Sequence, residues 1–452
     1  MIEPMKHVVV LVPGIMGSVL KLGERIIWPG AIRELMFPYR KMEELLSENL
    51  EAVDCIRSFV LPQYEDLIKR MRNWTKQGFR EEDHTLVVAA YDWRKSNAES
   101  AETLAAKLKE VVDRENGNVR ISLVAHSMGG LVSRYYLESG VYNGAREWKV
   151  VSDLITIATP HRGAAVALPV VAGREKRLFL SAIQVKKLCD DPRYPGAYEL
   201  LPRKGEPVVW DGTGMSPGIN TVDIYDPKIA SRLEISAVNL AKASDFHARL
   251  DAGMRPEHVN YFCFSGTQEE TAAYVRLRLG VNGLIPDKAD LRGGGDGTVP
   301  NWSSTLSNAR FLYVPGEHGT IYQGDFLQKH LAMLLGEEGI LAAGAPNELF
   351  IDPPVAGEGA ELRIRLVFPI DVTELEGQLL IQKMDIDESG REDIARRMTL
   401  KPETRILYKG PEIESFLLKM KAPQERGHYR IVYIDGANGE ASAARELIVQ
   451  GG

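Results

Sequence analysis

Ser127, Asp296 and His318 are the residue types that acyl-transfer chemistry needs, in that chain order. A serine hydroxyl is a weak nucleophile until a neighbouring base takes its proton. A histidine that is neutral near pH 7 can take that proton and later return it to a leaving alcohol, and a carboxylate can fix the imidazole tautomer and stabilise the imidazolium. Each of the three lies on the carboxyl side of a predicted strand, so one end of one sheet would gather them.

Their positions follow from local sequence. The apolar run Ile121, Leu123, Val124 stops at Ala125-His126-Ser127-Met128-Gly129, and a helical pattern begins. Strand, tight turn with small residues around a serine, then helix is the context of a nucleophile elbow, and the Ser, Asp, His order is that of the α/β-hydrolase triad. Ala125 departs from the usual glycine by one methyl group. The Met128 N–H would point at an oxyanion forming beside Ser127, and the helix N-terminus adds partial positive charge. The bland alternative is that Ser127 caps a helix. Asp296 sits in Gly293-Gly294-Gly295-Asp296-Gly297, where it reads as the acid, a turn residue or a poor one-carboxylate calcium site. His318, in Glu317-His318-Gly319, follows the predicted strand Arg310 to Pro315. The rival His330 lies inside the helical pattern Phe326 to Leu335.

The elements that must position these groups read as follows. His7 to Val12 is a buried strand, and the loop Pro13-Gly14-Ile15-Met16-Gly17-Ser18 after it is where a second oxyanion donor belongs, with Ile15 N–H as candidate and Met16 beside it. Thr85 to Ala90 is a strand ending in Tyr91-Asp92-Trp93-Arg94. Tyr91 and Trp93 are candidate substrate contacts and Asp92–Arg94 a structural pair. His126 and His161 read as hydrogen-bonding residues beside the site, with His126 also a candidate substrate contact. Tyr64 to Lys76 and Ala98 to Arg114 are helical, and Asp153 to Ala158 and Val259 to Ser265 are strands.

At 452 residues the chain exceeds one ordinary core. A net charge of -7 without any basic run argues against a nucleic-acid partner. Cys55, Cys189 and Cys263 are odd in number and scattered, which fits neither a disulfide framework nor a metal site. With no cofactor motif and no apolar run approaching the ~18 residues of a membrane span, a cytoplasmic protein without metal or cofactor is expected. Peripheral membrane contact stays open.

The expected fold class is α/β: an α/β-hydrolase domain over residues 1–345, with a cap insertion at about 164–253, then an all-β, Ig-like sandwich over 346–452. The stretch Ala342 to Ala360, rich in alanine, glycine and proline, reads as a linker. Six β-alternating runs follow, at Leu362 to Phe368, Gln378 to Lys383, Thr404 to Tyr408, Ser415 to Met420, His428 to Asp435 and Arg445 to Val449. They contain no cluster of catalytic types, so a separable docking module for a protein partner is expected. Apolar cap residues Leu168, Val170, Val171, Leu178, Phe179, Leu180 and Ile183 would line an acyl channel, face a membrane or pack the cap onto the sheet.

Several motifs taken together resemble the lecithin:cholesterol acyltransferase family and its lysosomal phospholipase relatives: Val12 to Ser18, Tyr91 to Arg94, Ala125 to Gly130, Thr159 to Gly163, Tyr198 to Pro202, Gly295 to Pro300 and the His318 segment, in that family's order. The resemblance covers Met1 to about Gly336. It implies an α/β-hydrolase fold, a Ser127–His318–Asp296 triad, oxyanion donors at Ile15 and Met128, and acyl-ester chemistry on lipids. A lipase or phospholipase, an acyltransferase that moves an acyl chain from a phospholipid to an alcohol, and a non-catalytic binding protein on the same scaffold are the functions to distinguish.

Overall fold

The computed structural model describes residues 5–31, 34–35, 37–57, 64–74, 78–214, 220–281, 283–337, 347–386, 392–436 and 441–451. Its centre is a six-stranded, all-parallel sheet of β1 (Lys6–Val12), β2 (Leu86–Val88), β3 (Val119–His126), β4 (Val151–Ile157), β5 (Asn260–Thr267) and β6 (Arg310–Pro315). The inner strands read as largely apolar runs because both faces of a parallel sheet are covered there, whereas the edge strand β6 leaves Phe311 and Tyr313 exposed. Val8 through Val12 have no exposure at all. The spatial order is β2-β1-β3-β4-β5-β6. The chain winds outward from β1 to β2, then returns past β1 to β3, so the direction of winding reverses between β1 and β3. That reversal opens a crevice at the strands' carboxyl ends, where open α/β sheets bind ligands.

Two helices flank the crevice. In α1 (Asn97–Arg114) Ser96 caps the first turn by accepting from Ala98 N, and Ala101, Leu104, Leu108, Val111 and Val112 form one buried stripe. In α2 (Met128–Glu138) almost every residue is buried, including Arg134 and Glu138, which neutralise each other one turn apart at 2.7 Å. A charge at that depth survives only when paired.

The insertion after β4 folds into short helices, among them Ala182–Asp190, whose Ser181 and Gln184 form a reciprocal capping box, and the longer Ala237–Ala252. Two features go beyond the sequence reading. Strands Ser18–Leu22, Arg25–Trp28 and Glu51–Cys55 form a small antiparallel sheet beside β1. Strands Glu269–Leu279 and Leu284–Gly295 form a long hairpin that pairs with Val209–Asp211 of the cap.

In the C-terminal part, β7 (Glu348–Asp352), β8 (Val355–Gly357), β9 (Glu361–Met384), β10 (Met398–Lys421), β11 (Gly427–Asp435) and β12 (Ala441–Gln450) form a sheet in the order β7-β9-β11-β12-β8, with β10 against β9. The first four expected runs are two long strands. Register shifts between Val367 and Val372, and between Leu379 and Ile381, break the alternation without ending the ladder. The expected boundary at residue 345 lies outside the described residues. The sheet has its own core, centred on Leu362, Ile364, Ile431 and Tyr433, yet Ile448 is buried in the core of the parallel sheet. Buried Arg70, on the helix Glu65–Arg72, holds Asp325 at 2.6 Å and also Glu348 of β7, and Arg445 of β12 holds Asp66 at 2.9 Å.

Removing Arg70 would strand Asp325 and Glu348, and burial already raises the Glu348 pKa. Arg70→Ala should therefore lower the unfolding free energy by roughly 3 kcal/mol. Lys109→Ala, which breaks a fully exposed pair with Asp113, should leave the denaturation midpoint unchanged.

Candidate active site

The turn after β3 places Ser127 at φ 51 and ψ -125, a conformation that non-glycine residues rarely adopt. Three glycines make the turn possible. A Cβ on Gly129 would lie 2.4 Å from the Val12 carbonyl oxygen, one on Gly130 would lie 2.1 Å from Thr159 Oγ1, and one on Gly14 would lie 2.9 Å from Ser127 Cβ. Ser127 N donates to the Ile157 carbonyl across the sheet at 2.9 Å.

His318 Nε2 lies 2.9 Å from Ser127 Oγ, and His318 Nδ1 lies 2.8 Å from Asp296 Oδ2. Asp296 is 1 % exposed. Its other carboxylate oxygen accepts the N–H groups of Thr298 and Val299, at 3.0 and 2.7 Å, which fixes its orientation. The loops are joined directly as well, because His318 N donates to the Asp296 carbonyl at 2.8 Å. His330 stays on its own helix, Asp325–Leu334, with its ring nitrogen bonded to the Phe326 carbonyl.

The loop after β1 is a tight turn closed by Gly17 N donating to Gly14 O at 3.0 Å. Trp28 Nε1 donates to Met16 O and Tyr91 Oη donates to Pro13 O, pinning the loop from two sides. Ile15 and Met16 line the cavity over Ser127, and Met128 is the first residue of α2.

That cavity measures about 480 Å³. Val166, Val170, Leu178, Leu180, Val185 and Leu188 of the cap supply most of its wall, joined by Trp93, Thr298 and Val299. Trp93 Nε1 is buried without a hydrogen-bond partner. Arg177 and Lys288 also line the cavity, both tied to Glu175, at 2.9 and 2.7 Å. Of the seven apolar cap residues expected from the sequence, Val170, Leu178 and Leu180 face it. Leu168 and Val171 are core, Phe179 packs on Trp28, and Ile183 is exposed to solvent.

Two candidate substrate contacts need correction. Tyr91 is fully buried beneath the Pro13 loop and His126 lies behind His318; neither lines the cavity. Their place is in a supporting network that includes Tyr64, which the sequence did not single out. Gly14 N donates to Tyr64 Oη at 2.8 Å, Tyr64 Oη donates to His126 Nδ1 at 2.9 Å, and His126 Nε2–H donates to the His318 carbonyl at 3.0 Å. This direction requires a neutral His126, and burial, helped by nearby His318, pushes its pKa down to about 3. Asp92 and Arg94 form a structural pair, buried rather than near the surface as the sequence suggests, and Arg94 also bonds the Ser47 carbonyl. His161 is buried among Thr156 and Cys263.

A serine on a strained strand-to-helix turn, bonded to a histidine that is bonded to a buried aspartate, at the carboxyl edge of a parallel sheet, defines an α/β-hydrolase. The chain belongs to the lecithin:cholesterol acyltransferase family, whose family model matches residues 46–272. The match includes Ser127 and ends before Asp296 and His318. Among curated relatives, Lecithin-cholesterol acyltransferase-like 4 of Arabidopsis thaliana is 28% identical over 243 residues, 44% of this chain and 44% of that protein. Phospholipase A(1) LCAT3 of Arabidopsis thaliana is 32% identical over 128 residues, 26% of this chain and 27% of that protein. The chain thus aligns with less than half the length of either. The fold is similar to that in the solved Tle4–Tli4 complex, with a TM-score of 0.52 and 16% identity, covering 71% of this chain and 96% of that one.

Tyr64→Phe keeps the ring and removes the hydroxyl, leaving the buried Gly14 N–H and His126 Nδ1 unpaired. It should cost roughly 1–3 kcal/mol of stability, measured by chemical denaturation.

Proposed function

We propose that the protein is a serine hydrolase of lipid acyl esters that works through an acyl-enzyme on Ser127. The observation that carries this reading is the Ser127 Oγ to His318 Nε2 contact of 2.9 Å at the floor of a largely apolar cavity of about 480 Å³. His318 Nε2 takes the hydroxyl proton as Ser127 Oγ attacks the ester carbonyl, while Asp296 holds the Nδ1–H and stabilises the imidazolium. The N–H groups of Ile15 and Met128, with the partial charge of the α2 N-terminus behind them, stabilise the oxyanion, each donor worth about 3 kcal/mol. Collapse of the tetrahedral intermediate breaks the ester C–O bond, and His318 returns its proton to the leaving alcohol. Water then attacks the acyl-enzyme by the same route in reverse. The cavity wall holds the acyl chain, and the unpartnered Trp93 N–H is available to a substrate oxygen. Membership of the lecithin:cholesterol acyltransferase family supports the lipid substrate.

The test is active-site labelling with a fluorophosphonate, followed by steady-state kinetics. Ser127→Ala should abolish labelling, His318→Ala should lower kcat by several orders of magnitude while His330→Ala has little effect, and Asp296→Asn should lower kcat by about 10⁴-fold through the wrong tautomer. Each methylene seated in the cavity adds up to about 0.8 kcal/mol, so kcat/KM for aryl esters should rise with acyl length. A steady fall from acetate onward, with no product from phospholipid vesicles, would leave a small-ester hydrolase.

A further inference from the structure

The C-terminal sheet reaches the two loops that carry His318 and Asp296. Asp352 ends β7, and Arg363 stands directly opposite it in the antiparallel ladder with β9, so both side chains project from one face. Arg363 Nη1 lies 2.8 Å from Glu317, the residue before His318, and 3.0 Å from Glu269. Glu269 in turn pairs in register with Gly295, the residue before Asp296. One nitrogen of one guanidinium therefore bridges the base loop and the hairpin strand paired with the one that presents the acid. Asp352 lines the cavity that contains Ser127 and is hydrogen-bonded to Glu317.

We propose that Arg363 and Asp352 are positioning residues of the active site, through which the C-terminal sheet fixes the His318 loop against the Asp296 turn. The inference rests on the triad reading given above. Its physical basis is charge. Glu317, Glu269 and Asp352 converge on a partly dehydrated region faced by Arg363 and Arg365 of β9, with His318 and Asp296 adjacent. With Arg363 present, Glu317 and Glu269 share a cation. Without it they are two carboxylates whose repulsion drives apart the loops that must hold the imidazole between acid and nucleophile.

Asp352 adds a pH dependence. Burial first, then Glu317, raises its pKa to about 8, with Glu269 acting in the same direction and Arg363 against it. Glu317 is held below its ordinary value by Asp352 and by Arg363. Asp352 is thus the proton donor of the pair. An unfolded aspartate ionises near ~4, so between there and about 8 the native state holds the extra proton, and the arrangement weakens as pH rises across that window. Above about 8 Asp352 faces Glu317 and Glu269 as a third anion.

The experiment measures kcat and KM for an aryl ester as a function of pH in the full-length wild type, R363Q, R363K and D352N, with circular dichroism and melting temperature for each. Both contacts come from one nitrogen, so a lysine ammonium can replace them and glutamine cannot. R363Q should lose between about tenfold and a hundredfold in kcat, the scale of a slight misplacement of catalytic groups, with KM changed little. R363K should recover most of that loss. D352N, which still donates to Glu317 but does not ionise, should move the alkaline fall in kcat upward. A wild-type kcat in R363Q, or equal impairment of R363Q and R363K with an unmoved alkaline limb in D352N, overturns the inference while wild-type labelling of Ser127 stands. Absence of that labelling overturns the triad reading itself.

Discussion

A serine held at φ 51 and ψ -125 stores of order 1–3 kcal/mol of backbone strain, and it persists only where the surroundings leave no alternative. Here the surroundings are mostly other backbones. The Ser127 N–H is committed to Ile157 of β4, the Gly129 position abuts the carbonyls of Val12 at the end of β1 and of Pro13 just after it, and the Gly130 position abuts the Thr159 side chain. These contacts exist because β1, β3 and β4 are adjacent and parallel, so their carboxyl ends finish side by side. The strand order that opens the crevice also fixes the one residue that must project into it. In the proposed mechanism a hydroxyl held this way needs no rearrangement when substrate arrives, which favours electrostatic stabilisation at its neighbouring N–H groups.

The base is held differently. Ser127 stands between a strand and a helix, whereas His318 and Asp296 sit in loops beyond the strand ends, and loops keep their shape only through specific hydrogen bonds. The His318 main chain is bonded at both its N–H and its carbonyl, by Asp296 O and by His126 Nε2. His126 is suited to this because burial keeps it uncharged. A cationic His126, with its ring centroid 5.1 Å from that of His318, would oppose the imidazolium that the proposed mechanism forms on His318.

What the sequence revealed and what it hid divides along range of interaction. Ser127, Asp296 and His318 were legible because each is embedded in a short signature: small residues around a turn, glycines around a carboxylate, a histidine just past a strand. Tyr91 and His126 were misplaced for the complementary reason. A position next to the chemistry does not say which way a side chain points, and one step along a strand turns it to the other face. Tyr64 was out of reach, since it meets His126 across 62 residues of chain and nothing around it marks the contact. The hairpin Glu269–Gly295 was readable in principle. Val275 and Leu277 alternate with the exposed Arg276 and Arg278, and the turn that follows carries Gly280 and Gly283. The interrupted alternation of β9 and β10 was not readable, because a bulge shifts the pattern by a residue without ending the strand.

Every addition to the parallel sheet converges on one end of it. The cap follows β4, the hairpin follows β5 and the His318 loop follows β6, and all leave from carboxyl ends, so each can lengthen without disturbing the packed strands beneath. The walls of the cavity are accordingly drawn from segments far apart in sequence: Leu178 and Leu180 from the cap, Lys288 from the hairpin, Thr298 from the acid turn and Asp352 from a sheet outside the parallel core. The cap, the hairpin and the His318 loop carry charge toward the site, and in each the charge is met by an opposite one, Glu175 for Lys288 and Arg177, Arg363 for Glu317 and Glu269. The paired charges share the cavity wall with apolar cap side chains such as Val170, Leu178 and Leu180. Among the acids there, Asp296 is the one bonded directly to the His318 ring.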